Sequence, residues 1–258
     1  MNARRDPPRP RPPAPADDWA LFLDVDGCLL DFADAPGMVT VPEALHATLE
    51  ALARRLQGAL ALVSGRPIAG IDALFAPLQL PAAGLHGLER RNADLEVAAP
   101  QPPPALAAIH GEAARIAQAY PGALVEDKGV ALGLHWRMAP GARDALRAFA
   151  QAALPRLPGY RLQHGDHVVE LRPASGDKGM AIRALLEESP FRGRVPVFAG
   201  DDFTDESGFA VVNASGGHSV LVGAREPSAA HYALRDPAAV RRWLDAAGPG
   251  LGNGGNAE

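Results

Sequence analysis

An apolar run that stops at two carboxylates is the feature that most limits what this chain can become. Residues Ala20 to Leu23 are followed directly by Asp24-Val25-Asp26-Gly27. Four apolar residues without polar alternation predict a strand buried on both faces, the kind found in parallel sheets covered by helices. Such a strand delivers Asp24 and Asp26 to its carboxyl end, where open α/β sheets bind ligands. Alternation lets both side chains point to the same side, and Gly27 lets the backbone turn sharply beside them. Two carboxylates about 4 Å apart repel by about 1 kcal/mol in water and about 4 at an effective dielectric near 20, so Mg²⁺ is their natural partner. The same D-x-D spacing serves turns and Ca²⁺ loops; the strand-end reading gains weight from the motifs further along the chain.

The 258 residues, 47% hydrophobic and 21% charged, suit one or two ordinary globular domains. A net charge of −5 gives no reason to expect a nucleic-acid or anionic-membrane partner. The single cysteine, Cys28, excludes an intrachain disulfide and fits a reducing compartment. No apolar stretch is long enough to span a bilayer, and the N-terminus lacks the apolar core of a secretory signal, so the expected location is cytoplasmic.

Residues 1–18, rich in Pro and Arg with little to bury, predict a disordered or polyproline-like tail, and the Gly-rich residues 248–258 a flexible one. Asp31 to Val39 reads as a loop. Thr40-Val41-Pro42-Glu43 has the T-x-x-E spacing of a capping box, and Leu45, Leu49, Leu52 and Leu56 continue it at helical spacing. A second buried strand, Leu60 to Val63, ends in Ser64-Gly65, a layout that turns a hydroxyl and free amides toward an anion or simply caps the next helix. A third, Leu80 to Leu85, ends in His86, either a turn residue or a substrate contact.

From Leu88 to Val168 the pattern changes. A helix around Leu106, Ile109 and Ile116, two strands (Ala123 to Asp127, Val130 to Arg137), a second helix (Ala142 to Leu154) and two more strands (Tyr160 to His164, His167 to Leu171) make a small α+β unit. It reads as an insert, because parallel-type strands resume afterwards. Glu126, Lys128, Arg137 and Glu170 on its strands either form a wet face or bind the hydroxyls of a polyhydroxylated ligand.

Lys178 opens the next helix, where a lysine opposes the helix dipole by about 0.3–1 kcal/mol, so helix formation alone would not select it. Near a phosphate, Lys178 and the helix-end amides would act together; an exposed lysine that tolerates the dipole is the alternative. The buried run Val195 to Ala199 ends in Gly200-Asp201-Asp202-Phe203-Thr204-Asp205-Glu206, too dense in acid for a chance solvated face. Ser219 to Val222, Ala233-Leu234 and a helix from Pro237 to Leu244 complete the chain. Neither G-x-G-x-x-G nor G-x-x-x-x-G-K-[ST] occurs, which argues against nicotinamide-dinucleotide domains and P-loop kinases.

Taken in order, Asp24-Val25-Asp26-Gly27, Ser64-Gly65, Lys178 and Gly200-Asp201-Asp202 resemble the four motifs of the haloacid dehalogenase-like phosphatases. Gly84-Leu85-His86-Gly87, Val125-Glu126-Asp127-Lys128-Gly129, Leu134-His135-Trp136-Arg137, Val169-Glu170-Leu171-Arg172-Pro173 and the Gly200 to Glu206 string resemble the trehalose-6-phosphate phosphatase family within them. The resemblance covers roughly Leu21 to Leu244 and departs at Cys28, where the family usually has Thr. It implies an α/β fold: a Rossmann-like parallel-sheet core (19–87 and 169–247) with an inserted α+β cap domain (88–168) that sets substrate specificity.

It further implies Mg²⁺-dependent hydrolysis of trehalose 6-phosphate through an aspartyl-phosphate. Asp24 would be nucleophile and Asp26 general acid and base. Ser64, Gly65 and Lys178 would hold the phosphate, and Glu126, Lys128, Arg137, Glu170 and His86 the sugar. The metal would lie at Asp24, Asp26 (through its carbonyl), Asp201 and Asp202, with Asp205 near or behind them. A functional link to a trehalose-phosphate synthase follows from the same resemblance. Two other readings stay open: a phosphatase for another sugar phosphate, such as sucrose or mannosylglycerate phosphate, and a silent phosphosugar-binding regulatory subunit.

Overall fold

The run that ends in Asp24 becomes the central strand of the larger sheet. The computed structural model describes residues 9–31 and 39–246, which divide into two compact units. One is assembled from the chain up to Val97 and from Asp177 onward; the other is Ala98–Gly176.

In chain order the elements are β1 (Trp19–Leu23), α1 (Glu43–Arg55), β2 (Leu60–Val63), α2 (Ile68–Phe75), β3 (Ala82–Gly84), β4 (Glu89–Arg91), β5 (Val97–Ala98) and α3 (Ala105–Gln118). They continue with β6 (Leu124–Asp127), β7 (Leu132–His135), α4 (Arg143–Ala153), β8 (Tyr160–Gly165), β9 (Val168–Pro173), α5 (Lys178–Leu186), β10 (Val195–Gly200), α6 (Glu206–Ala214), β11 (His218–Val222), β12 (Tyr232–Leu234) and α7 (Pro237–Asp245).

The first unit holds an eight-stranded sheet in the order β12-β11-β10-β1-β2-β3-β4-β5, parallel from β12 through β3, with β4 antiparallel to β3. Successive strands run outward from β1 to one side and from β10 to the other, so the β1–β10 neighbourhood is the switch point where such sheets bind ligands. Register fixes what meets there. Leu23 pairs with Ala199 on one side and Leu62 on the other, so Asp24, Ser64 and Asp201 leave the sheet at one edge. Every residue of β1 and β2 is buried, as their unbroken apolar runs require. Phe22 stacks on Phe191 with ring centroids 5.4 Å apart, and Phe198 lies 5.4 Å from Phe209.

The second unit is a four-stranded antiparallel sheet, β6-β7-β9-β8. One of its faces, with Leu132, Leu134, Val169 and Leu171, packs against Leu106, Ile109 and Leu146 of α3 and α4. Period-two alternation sends Glu126, Gly133, His135 and Glu170 to the other face.

Several expectations change. The units divide at 97/98 and 176/177, not at 87/88 and 168/169. Residues 89–98 extend the large sheet as β4 and β5, and β9 pairs with β7 and β8 in the small one. Of the expected N-terminal tail, residues 1–8 lie outside the described residues, as do 248–258 and, from the loop expected after Leu30, residues 32–38. Residues 9–18 carry no regular element, yet they are tied down. The Pro10 carbonyl accepts from the Ala233 amide and the Pro13 carbonyl from Trp243 Nε1, while the Arg9 guanidinium donates to the carbonyls of Ser228 and Ala230. Finally, the T-x-x-E spacing is not used as a capping box, because Pro42 occupies the N-cap position and no side chain caps α1. Proline at 42 fixes an extended entry that carries Thr40 past the helix end. No helix among the described residues is long and apolar enough to cross a membrane.

Thr40→Ala is therefore expected to change unfolding free energy by less than about 0.5 kcal/mol in urea titrations, where loss of a working cap would cost about 0.5–2. Phe22→Ala, which empties a fully buried ring site, is expected to cost about 3–5 kcal/mol in the same assay.

Candidate active site

Asp24 lies one residue past β1 and donates its own amide to the Ala199 carbonyl (2.9 Å), which extends the β1–β10 ladder to the edge of the sheet. The turn beyond it is closed by backbone alone. Gly27, at φ +82°, donates to Leu30, while Leu29 and Leu30 both donate to the Val25 carbonyl. Cys28, at the position where Thr is usual in the resembled family, is fully buried and holds none of these bonds. Burial, followed by the nearby Asp24, Asp201 and Asp205 charges, pushes its thiol well above the usual range, so it packs as a neutral side chain.

Lys178 opens α5 almost completely buried, its ammonium shared between Asp24 Oδ1 (2.8 Å) and Asp205 Oδ1 (2.6 Å). This explains a lysine at a helix start: two carboxylates outweigh the unfavourable dipole. Burial alone would lower its pKa, but Asp205 and Asp24 hold it well above the ordinary lysine value. Two of the helix-end amides offered to an anion by the sequence are taken, Gly179 N by Ser207 Oγ and Met180 N by Asp177 Oδ1.

Asp205 is wholly buried, and its second oxygen accepts from the amides of Asp201 and Asp202, both at 2.9 Å. Carboxylate oxygens of Asp24, Asp201 and Asp205 lie within 4.8 Å of one another. Three carboxylates against one ammonium leave about two negative charges in a desolvated spot. Burial first, then repulsion from Asp205, raises the Asp201 carboxyl to about 7. Burial likewise drives Asp24 well up, against the pull of Lys178. Asp201 Oδ1 is buried and accepts no hydrogen bond among the described residues. An orphaned carboxylate oxygen within an oxygen-only donor set fits a hard divalent cation. A cleft of about 330 Å³ opens beside Asp201, lined also by Gly27, Asp31, Val222 and Arg225.

Of the other residues expected in the core site, Asp26 is gripped through both oxygens by Arg66, Nε to Oδ2 at 2.6 Å and Nη2 to Oδ1 at 2.7 Å. Ser64 is buried at the end of β2, its Oγ accepting from the Arg66 amide (3.1 Å). His86 donates its amide to the Ser64 carbonyl (2.9 Å), and its ring lies so close over Gly65 that a Cβ there would meet it at 2.7 Å. Asp202, expected among the metal ligands, is instead exposed; it caps the 3-10 turn Phe203–Asp205 in a reciprocal box with Asp205, and its carboxylate does not join the group of three. The turn swings alternate acids to opposite sides, so Asp205, not Asp202, points inward.

On the polar face of the second unit Lys128 Nζ contacts Glu170 at 2.5 Å and Glu126 at 3.7 Å, and His135 Nε2 lies 2.9 Å from Glu126 Oε2. Burial would raise the Glu126 carboxyl, but His135 and Lys128 hold it below the usual range. Arg137 does not join them. It lies beyond the end of β7, half exposed, and donates to Asp166 (2.8 Å). Sequence reasoning does not single out Arg66 or His135, although each stands inside or beside a motif, because nothing in spacing says which acid a long side chain will reach.

The strand order and this site define a class whose fold is shared with haloacid dehalogenase-like hydrolases. One from Bacteroides thetaiotaomicron superposes with a TM-score of 0.63 at 18% identity, covering 87% of this chain and 97% of that one. The C-terminal domain of a Candida albicans trehalose-6-phosphate phosphatase gives 0.72 at 19% identity over 87% and 90%. In sequence, residues 22–238 match the family model for trehalose-phosphatase. A probable trehalose-phosphate phosphatase of Sinorhizobium fredii is 44% identical over 213 residues, 82% of this chain and 80% of that protein. The trehalose-6-phosphate phosphatase of Escherichia coli K12 is 43% identical over 228 residues, 88% and 85%. The chain therefore belongs to the trehalose-phosphatase family and is a phosphatase.

With Asp201 near 7 when folded against about 3.9 when free, the folded state binds the extra proton between those values. This group's contribution then lowers stability as pH rises from about 4 to 7, and a bound divalent cation, which needs the ionised carboxylate, offsets the loss. Millimolar MgCl₂ is expected to raise the melting temperature more at pH 8 than at pH 5; equal increments would place the ion elsewhere.

Proposed function

We propose that this phosphatase hydrolyses trehalose 6-phosphate to trehalose and phosphate, with Asp24 as nucleophile. The observation that carries the reading is the Asp24 carboxylate fixed at the sheet edge against buried Lys178, in a chain 44% identical to a probable trehalose-phosphate phosphatase. Asp24 attacks phosphorus and the bond to the sugar oxygen breaks, leaving an acyl phosphate on Asp24. Asp26 gives a proton to the departing oxygen, then takes one from the water that attacks the acyl phosphate and frees inorganic phosphate. Arg66 takes one acceptor site on each Asp26 oxygen and fixes the carboxylate, leaving a second lone pair on each oxygen for that proton transfer. Ser64, whose hydroxyl proton is uncommitted among the described residues, and Gly65 bind phosphate oxygens, and Lys178 balances their charge in the transition state.

The residues present suit Mg²⁺: the carboxylates of Asp24 and Asp201 and the Asp26 carbonyl would hold it, with Asp205 behind them, and it would supply positive charge that offsets the negative charge of the phosphate. Sugar hydroxyls both donate and accept, which matches the juxtaposed carboxylates of Glu126 and Glu170 and ammonium of Lys128.

Purified Asp24→Asn is expected to lose at least about a thousandfold in turnover without losing melting temperature. Near-normal phosphate release by that variant would remove Asp24 from its role. Across a panel of phosphosugars with and without Mg²⁺, wild type should prefer trehalose 6-phosphate, and Glu126→Ala or Lys128→Ala should raise KM for it far more than for p-nitrophenyl phosphate. Equal effects on both substrates would return these residues to an ordinary solvated face.

A further inference from the structure

The Glu126 carboxylate is steered by a residue to which the proposed reaction gives no role. In the β6–β7 ladder Glu126 stands opposite Gly133, and His135 opposite Leu124, so Glu126 and His135 are diagonal neighbours on one face. Here the two meet directly over the position between them, which must stay empty for the contact to form. That position is Gly133: a Cβ there would come within 2.8 Å of His135 Nε2 and 3.3 Å of Glu126 Oε2. The carboxylate leans across the glycine and takes the imidazole at 2.9 Å. An ionised carboxylate can only accept, so Nε2 carries the proton and donates.

This contact uses one oxygen of Glu126, the same Oε2 that faces Lys128 at 3.7 Å. Oε1 accepts from no group among the described residues, and the side chain keeps 28% of its exposure. A glutamate left to itself would spread over several rotamers and lose that freedom on binding. One anchored by His135 already presents a fixed, uncommitted acceptor beside the Lys128–Glu170 pair. The core offers no rival explanation for His135, since its neighbour Leu134 is the one that packs inward and the imidazole lies on the polar face.

Granted that this face binds the sugar of a phosphosugar, we infer that His135 is a positioning residue for Glu126: across the gap at Gly133 it fixes which Glu126 oxygen meets a sugar hydroxyl, and so sets selectivity for a polyhydroxylated substrate over a plain phosphate ester. The inference rests on the sugar-binding role proposed for Glu126 and Lys128.

The test measures kcat and KM of wild type, His135→Ala, His135→Gln and Gly133→Ala with trehalose 6-phosphate and p-nitrophenyl phosphate, with melting temperatures alongside. His135→Ala is expected to lower the ratio of kcat/KM for the sugar phosphate to that for the aryl phosphate about ten-fold, equivalent to ~1.4 kcal/mol, chiefly through KM. Gly133→Ala, which keeps both partners and pushes them apart, is expected to move the ratio the same way. His135→Gln, whose amide can still donate, is expected to recover part of it. Parallel falls for both substrates, or a changed ratio only in variants that also melt earlier, would overturn the assignment. Should wild type hydrolyse the aryl ester but prefer a different phosphosugar, the trehalose reading alone fails, and the ratio is read with the preferred sugar. Absence of any phosphosugar preference would overturn both.

Discussion

A single buried ammonium among three carboxylates is the interaction on which the rest of the first unit depends. Lys178 comes from the start of α5, Asp24 from the end of β1, and Asp201 and Asp205 from the turn after β10, so one charge ties together three distant segments. Its energetics are double-edged. Removing the ammonium from such a buried set typically costs about 3–5 kcal/mol, because the carboxylates are stranded, whereas loss of Asp24 alone leaves Lys178 paired with Asp205; replacing the whole set by apolar groups is often neutral or stabilising. A chain selected for stability alone would not keep two excess negative charges in a desolvated pocket. That residual charge suits a divalent cation, and it is expressed in the Asp201 carboxyl held up near 7.

The parallel sheet is what makes this tolerable. All of β1 and β2 is apolar and buried, so burial of side chains, at roughly 1.5–3 kcal/mol each, supports the charged edge without any polar residue inside the strands. Register then decides which residues first emerge. Because Leu23, Ala199 and Leu62 are level, the first polar side chains past three strands appear together. The turn beyond Asp24 needs no side-chain support, since Gly27 and the Val25 carbonyl close it. That is why a thiol at position 28 is tolerated there.

The second unit solves a different problem with the same period-two rule. One face of its sheet is committed to α3 and α4, and the other is free to carry charge. There Lys128 lies between Glu126 and Glu170, and His135 donates to Glu126, so the polar groups of that face are held against one another. Arg137 shows the limit of reading roles from a motif: a shift of two residues past His135 takes it off the strand and into a surface pair with Asp166.

What the sequence determined by itself is what depends on nearest neighbours and on period. Apolar runs placed β1, β2, β10 and β11, helical spacing placed α1, α3 and α4, and the order of the acid, hydroxyl, lysine and acid motifs pointed to phosphate chemistry at a strand edge. Tertiary structure decided whatever depends on reach. It chose Asp205 over Asp202, Arg66 as the partner of Asp26, and His135 over Arg137, and it left Thr40 without a cap. Glu89 to Val97, and β9 from Val169 onward, changed units for the same reason. Pairing energy is collected between strands far apart in the chain, and a long polar side chain binds whatever partner the fold brings within about 3 Å, which no local pattern of residues records.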